Sequence, residues 1–378
     1  MATKVMSADS HMDLIYLPPD TFASRMPASW GARVPHVAER DGGRVWVSGD
    51  DVLAPYGVYG PGVTGGRRGR VLTEAGFASG RETRPSNSAQ RRADQDRDGV
   101  EAEVIYGIIG ISRGLFGRKG ITDPELLVAV YRAYNEYVAD FNQTMPGRFF
   151  GLGCLPNHDG AAAADEVRRC ARLGLRGAVF VPWGSAMPVW HEMWEPLWAA
   201  AEETDLVISF HVFEGGGATV GYEIKGVRHP AVIGAWTVVA PMQMDEILAS
   251  VILSGVCERH PRLRLVLGES GIGWLPYILE RLDDTYEERL ADDLALSLPP
   301  SAYFKRQIYA TFQKDFHGVR AMAGIAPDNV MWGSDYPHRD GTWPFSAKAI
   351  EEQFRGVDPA VRQKMLWENA RRVYRITA

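Results

Sequence analysis

The stretch GAVFVPWGSAMPVWHEMWEPLWAAAEETDLVISFHV, residues 177–212, decides the fold. It opens on a short apolar run, GAVFVP, and closes on another, LVISFHV. Between them, residues 188–204 read as an amphipathic helix. Strand, helix and strand in this order imply two parallel strands joined by a crossover. The same rhythm extends outward on both sides. VMSADSH (5–11), EVIYGII (103–109) and RFFGLGCLP (148–156) precede the stretch, and LRLVLGE (263–269), QIYATF (307–312) and NVMWGSD (329–335) follow it. Helical patterns at 123–145 and 160–173 fill two of the gaps. Eight strands alternating with helices predict a (β/α)8 TIM barrel, with a doubly wound open sheet as the rival.

Two segments break the rhythm. Residues 27–87 are rich in Gly, Pro and Arg, with short runs such as RVWVSG at 44–49. They read as an insertion after strand 1 that covers the C-terminal mouth like a lid. Residues 214–241, containing EGGG, read as a second irregular loop; long loops in compact domains are often lids or binding loops. Residues 359–374 read as a helix on the barrel exterior. The whole of 1–378 is then one domain.

Composition narrows the function. Apolar content is 46%, charged content 23% and net charge -6, which is ordinary for a globular enzyme and argues against a nucleic-acid partner. The densest basic run, GGRRGR at 65–70, is short and reads as a solvated loop, although Arg67, Arg68 and Arg70 could take an anionic group. No apolar run approaches a membrane span, and no signal peptide is recognisable. Cys154, Cys170 and Cys257 are too few and scattered for a disulfide framework or thiolate zinc site, which suits a reducing cytoplasm.

Ionisable residues recur at the predicted strand ends. Asp9 and His11 end strand 1, two residues apart and so on one face. His211 ends strand 5, Glu269 strand 6 and Asp335 strand 8, with His338 three residues on. Each has a plain structural reading. SADSHMD also reads as turn chemistry, His211 as a hydrogen-bonded core histidine, Glu269 as a helix cap and Asp335 as a turn residue. In a barrel, however, these ends converge on one point. Unpaired carboxylates are costly there, and a divalent cation would neutralise them. Hard oxygen donors with two imidazoles and no thiolate suit zinc, manganese or iron(II). Five candidate ligands are generous for one ion, and a bridging Glu269 or Asp335 would make a dinuclear centre.

The order of DSH, GVEAEVIY, FHV, HPRLRLVLGESGIGWLPYILERLD and WGSDYPH resembles the amidohydrolase superfamily over nearly the whole chain. The resemblance is closest to the branch with aminocarboxymuconate-semialdehyde decarboxylase and the resorcylate-type decarboxylases. It implies a metal-dependent barrel with His211 and Asp335 as ligands, Asp9 and His11 as the strand 1 pair, and Asp335 as general base. Three departures stand out. Glu269 occupies the place where those decarboxylases present a substrate-directed histidine, strand 1 has Asp9 where two histidines are frequent, and strand 4 lacks the superfamily's lysine.

The expected function is hydrolysis or decarboxylation of a bulky cyclic or aromatic carboxylate or ester, with Asp335 and Glu269 catalytic. A non-haem iron monooxygenase, with one ion or a dinuclear centre, is the alternative, because the carboxylate-rich set with two imidazoles resembles sites that activate dioxygen. A non-catalytic binding module would leave the convergent strand ends unexplained. Trp183, Phe213, Trp236, Trp274, Phe312, Tyr336 and Trp343 lie at or beyond strand ends, as pocket walls or as ordinary core. Surplus aromatic residues and the family also suggest a homodimer.

Overall fold

The computed structural model describes residues 4–40, 42–57, 84–112, 119–212, 230–338 and 340–377. Eight strands form the barrel: β1 (Met6–His11), β2 (Ala102–Tyr106), β3 (Phe149–Gly151 and Gly153–Cys154, interrupted at Leu152), β4 (Gly177–Val179), β5 (Val207–His211), β6 (Leu265–Gly268), β7 (Ile308–Phe312) and β8 (Val330–Trp332). Each pairs with the next in parallel. The ring closes between β8 and β1 through a parallel bridge from Ser10 to Tyr336. There the His11 N–H donates to the Tyr336 carbonyl at 2.6 Å and the Asp335 N–H to the Asp9 carbonyl at 2.8 Å. All eight expected strands are present, and the open-sheet rival falls.

Alternation of side chains makes two cores. Val104, Val179, Val207, Val266, Tyr309 and Met331 fill the barrel interior. Ile105, Ile208, Phe210, Leu265, Ile308 and Val330 face the surrounding helices. His211 therefore follows Val207 and Ser209 on the inner face of β5, and Thr311 follows Tyr309 on that of β7. In β1 the pairing with β2 shifts register between Ser7 and Ser10. Such a bulge re-aims side chains. Met6 and Ala8 join the inner core, and Asp9 and His11, after the shift, also face inward.

The helix expected at 188–204 is shorter, Glu195–Thr204, behind a 3-10 turn at Glu192–Trp194 whose start is capped by the His191 side chain. The stretch 214–241 is not irregular throughout: Pro230–Val239 is an apolar helix, whereas 213–229 lie outside the described residues. The insertion contains an antiparallel three-stranded meander, His36–Arg40, Gly43–Ser48 and Asp51–Pro55. Trp46 and Leu53 from it join the core with Leu14, Ile15 and Phe22. The remainder, 58–83 with Arg67, Arg68 and Arg70, lies outside the described residues.

The C-terminal segment follows the exterior-helix expectation at first, with Met365 and Leu366 in the outer core, and departs from it at its end. It is helical over Pro359–Gln363, Lys364–Glu368 (a π turn) and Asn369–Val373. Its end stoppers the closed, N-terminal end of the barrel. Val373 and Tyr374 join the interior cluster, and the Tyr374 hydroxyl lies 3.2 Å from Ser209 Oγ on β5. An amphipathic helix with a bulky aromatic beyond it seals the apolar interior better than it covers helices already packed. Among the described residues, no helix is long and apolar enough to cross a membrane.

Candidate metal centre

Asp9 is fully buried at the C-terminal end of β1. Its Oδ2 accepts two hydrogen bonds at 2.7 Å, from the Glu269 N–H and from Thr311 Oγ1. Its Oδ1 has no hydrogen-bond partner and lies 3.5 Å from both His11 Nε2 and His211 Nε2. His211 Nδ1 is 2.8 Å from the Val212 carbonyl, which can only accept. The proton thus sits on Nδ1, and Nε2 offers its lone pair to the centre. Asp335 Oδ1 is 3.2 Å from His11 Nε2, and Glu269 Oε2 is 3.6 Å from His211 Nε2.

Buried donor atoms thus converge without partners: Asp9 Oδ1, His11 Nε2, His211 Nε2 and Asp335 Oδ2. Orphaned buried polar atoms are rare and demand an explanation. A divalent cation provides one, and the oxygen and imidazole donors fit it chemically. Two overlapping sets have donor atoms within 4.8 Å of one another, Asp9–His11–His211 and His11–Glu269–Asp335–His338. They share His11.

Local backbone supports the convergence. Glu269 and Asp335 take φ of 51° and 54° just past the ends of β6 and β8. Left-handed backbone is costly for such residues and collects at functional sites. Beside the cluster, His338 is bracketed by two carboxylates. Its Nε2 bonds Asp13 Oδ2 at 2.8 Å and its Nδ1 contacts Asp335 Oδ1 at 2.9 Å. Its ring stacks on His11 with centroids 3.9 Å apart. Both ring nitrogens of His338 thus face carboxylates.

Charge is distributed unevenly. Burial pushes the Glu269 carboxyl up, and neighbouring Asp335 and Asp9 push it further, well above the usual range. Burial also works against the charge on Asp9, but His211 and His11 outweigh it and hold the carboxyl well below that range. His338 is pushed up to about 10; burial and His11 oppose this, and Asp335 and Asp13 prevail.

All six expected residues, Asp9, His11, His211, Glu269, Asp335 and His338, meet in this one place. The cap reading of Glu269 fails, because the next helix begins only at Leu275 with Trp274 at its cap. Three contributors were not expected. Asp13 continues the every-second-residue pattern of Asp9 and His11 and was readable in SADSHMD. Thr311 carried no sequence signal beyond its place near a strand end. Arg91, fully buried, donates to the His11 carbonyl at 2.8 Å and pairs with Glu103. Of the aromatic set, Phe312, Tyr336 and Trp343 take the core reading: they are buried, Tyr336 and Trp343 held against the helix Ser88–Asp98 by bonds to Asp94. Trp183 and Trp274 are partly exposed; Phe213 and the side chain of Trp236 lie outside the described residues.

Comparison with known proteins gives a consistent picture. A sequence model described as amidohydrolase matches residues 109–376. A gamma-resorcylate decarboxylase of Rhizobium sp. (strain MTP-10005) is 25% identical over 291 residues, 68% of this chain and 80% of that protein. An amidohydrolase structure from Mycobacterium avium subsp. paratuberculosis K-10 superposes with TM-score 0.77 at 18% identity, covering 99% of this chain and 98% of that one. A dihydroxybenzoic acid decarboxylase of Polaromonas sp. JS666, solved with manganese and 2-nitroresorcinol, gives TM-score 0.60 at 20% identity, covering 82% and 94%.

Proposed function

The chain belongs to the amidohydrolase family and is a metal-dependent enzyme, and on that premise we propose that it decarboxylates an aromatic carboxylate. One observation carries the reading: unpartnered oxygen and imidazole donors converge at the barrel mouth of a chain whose relatives are decarboxylases. Asp9, His11, His211 and Asp335 would hold the ion, with Glu269 as a further ligand. A bound divalent ion supplies a Lewis acid that fixes the substrate and draws negative charge toward itself. In the reaction the bond from ring carbon to carboxylate breaks and carbon dioxide leaves. The electron pair stays on the ring carbon, which takes a proton. Asp335, held between His11 and His338, moves that proton. Glu269, with its side chain 19% exposed, borders the open side of the site.

A second reading, a non-haem iron monooxygenase with one or two ions, is favoured by one observation. Glu269 turns its carboxylate toward His211, which adds a third carboxylate to the set. One experiment separates the two. Metal-free protein is loaded with manganese, zinc or iron(II) and given hydroxybenzoate-type acids with and without dioxygen. Carbon dioxide release under anaerobic conditions is the expected result. Turnover only with iron, with matching oxygen uptake, would overturn decarboxylation in favour of the second reading.

The inserted segment 27–87 acts as a lid in this reading. Support comes from Arg33, 3.0 Å from Asp123, and Asp51, 3.1 Å from Lys119, which tie it to the residues following β2. Buried free cysteines suit a reducing cytoplasm. A homodimer is also proposed, since large apolar side chains stay exposed beyond successive strand ends: Trp190, Val238, Tyr277, Phe316 and Phe345. Light scattering at micromolar concentration should give twice the 41.8 kDa chain mass; a single-chain mass rules the dimer out.

A further inference from the structure

We propose that Thr311 is a positioning residue that decides which oxygen of Asp9 faces the metal and holds the backbone that aims Glu269. The inference rests on the reading of Asp9 as a ligand. Thr311 is fully buried on the inner face of β7, one inward position beyond Tyr309. Its Oγ1 makes two bonds at once: it donates to Asp9 Oδ2 at 2.7 Å and accepts from the Glu269 N–H at 2.7 Å. The same N–H also reaches Asp9 Oδ2, at 2.7 Å. Three strands, β1, β6 and β7, are thereby tied at a single point.

The knot has two consequences. First, Asp9 Oδ2 is saturated by two donors, so only Oδ1 remains for the centre, and Oδ1 is the oxygen without a partner. A carboxylate free to rotate would present either oxygen, and ligand orientation would be lost. Second, Glu269 sits at φ 51°, a conformation that needs external support. Its N–H is held from both sides, and with the backbone so fixed its carboxylate comes within 3.6 Å of His211 Nε2. Partners behind ligands commonly matter at the level of 10- to 100-fold in affinity. Thr is suited to this place because its hydroxyl gives and takes one bond each, whereas its methyl fills the inner layer.

The test compares Thr311→Val, Thr311→Ser and His211→Ala with the wild-type chain. Manganese affinity is measured by competition with a chelator, and the thermal midpoint of each metal-free form is recorded. Thr311→Val should bind manganese on the order of 10- to 100-fold more weakly, and Thr311→Ser, which keeps the hydroxyl, should return close to wild type. An unchanged affinity in Thr311→Val would overturn the proposal, as would equal losses in both Thr311 variants. A Thr311→Val chain that does not fold leaves the Ser variant decisive: if Ser also loses affinity, the hydroxyl is not the cause. If the wild type binds no manganese, or His211→Ala binds it as well as wild type, the ligand reading itself fails, which is a separate outcome.

Discussion

Glu269 tests the site at the scale of one residue. Its carboxylate is crowded by Asp335 and Asp9 without being paired to a lysine or arginine in the described cluster, and its proton affinity is raised accordingly. Glu269→Gln keeps the shape and removes the charge. As a ligand, the neutral amide is the poorer donor, so metal content should drop. The metal-free variant should be no less stable than wild type, and slightly more so, because a like-charge contact disappears. A helix cap would behave in the opposite way: metal retained and about 1 kcal/mol of stability lost. Metal analysis and a thermal melt on the same two proteins decide between them, and full metal retention in Glu269→Gln would strike Glu269 from the ligand set.

At the scale of elements, what could be read from the chain is what depends on local pattern. Eight short apolar runs separated by helical periodicity are a two-period signal, and all eight became strands. The ionisable strand ends were readable because buried strands rarely end in charge, so Asp9, His11, His211, Glu269 and Asp335 stand out against VMSA, LVIS, LVLG and VMWGS. Features that depend on contacts distant in sequence were hidden. The β1 bulge exists only relative to β2. Gly333 looks like any loop glycine, yet a Cβ there would come 2.5 Å from the Asp9 Cβ, so its bareness allows β8 to close against β1. Tyr374 follows an ordinary amphipathic helix, and only the open barrel end makes it a stopper. Thr311 looks like a β-branched strand residue, and its hydroxyl acquires meaning only when Asp9, 302 positions away, arrives beside it. Arg91 likewise reads as a solvated helix charge until Glu103 and the His11 carbonyl surround it.

The whole molecule carries the electrostatic consequence of this design. Three carboxylates and the imidazoles among them are gathered at one end of an apolar barrel, where their mutual interactions are weakly screened. Folding brings them together, and the unfolded chain disperses them, so a cation that binds the cluster binds only the folded state. Mass action then stabilises the fold by about 4 kcal/mol when the free ion is 1,000-fold above its dissociation constant. Unfolding entropy near 2.1 cal/mol/K per residue is typical. For a chain of 378 residues that entropy converts the stabilisation into a rise of about 5 °C in melting temperature. Manganese added to chelator-stripped protein should therefore raise the midpoint by several degrees, and the midpoint should keep rising with the logarithm of ion concentration once the site is filled. His211→Ala should lose most of that rise; its metal-free midpoint should also fall, because the buried ring, its bond to the Val212 carbonyl and the imidazole beside Asp9 all go, so the manganese-dependent shift is the readout. A midpoint indifferent to manganese would mean that the folded barrel does not bind it through this cluster, and the orphaned donors at the mouth would need another explanation.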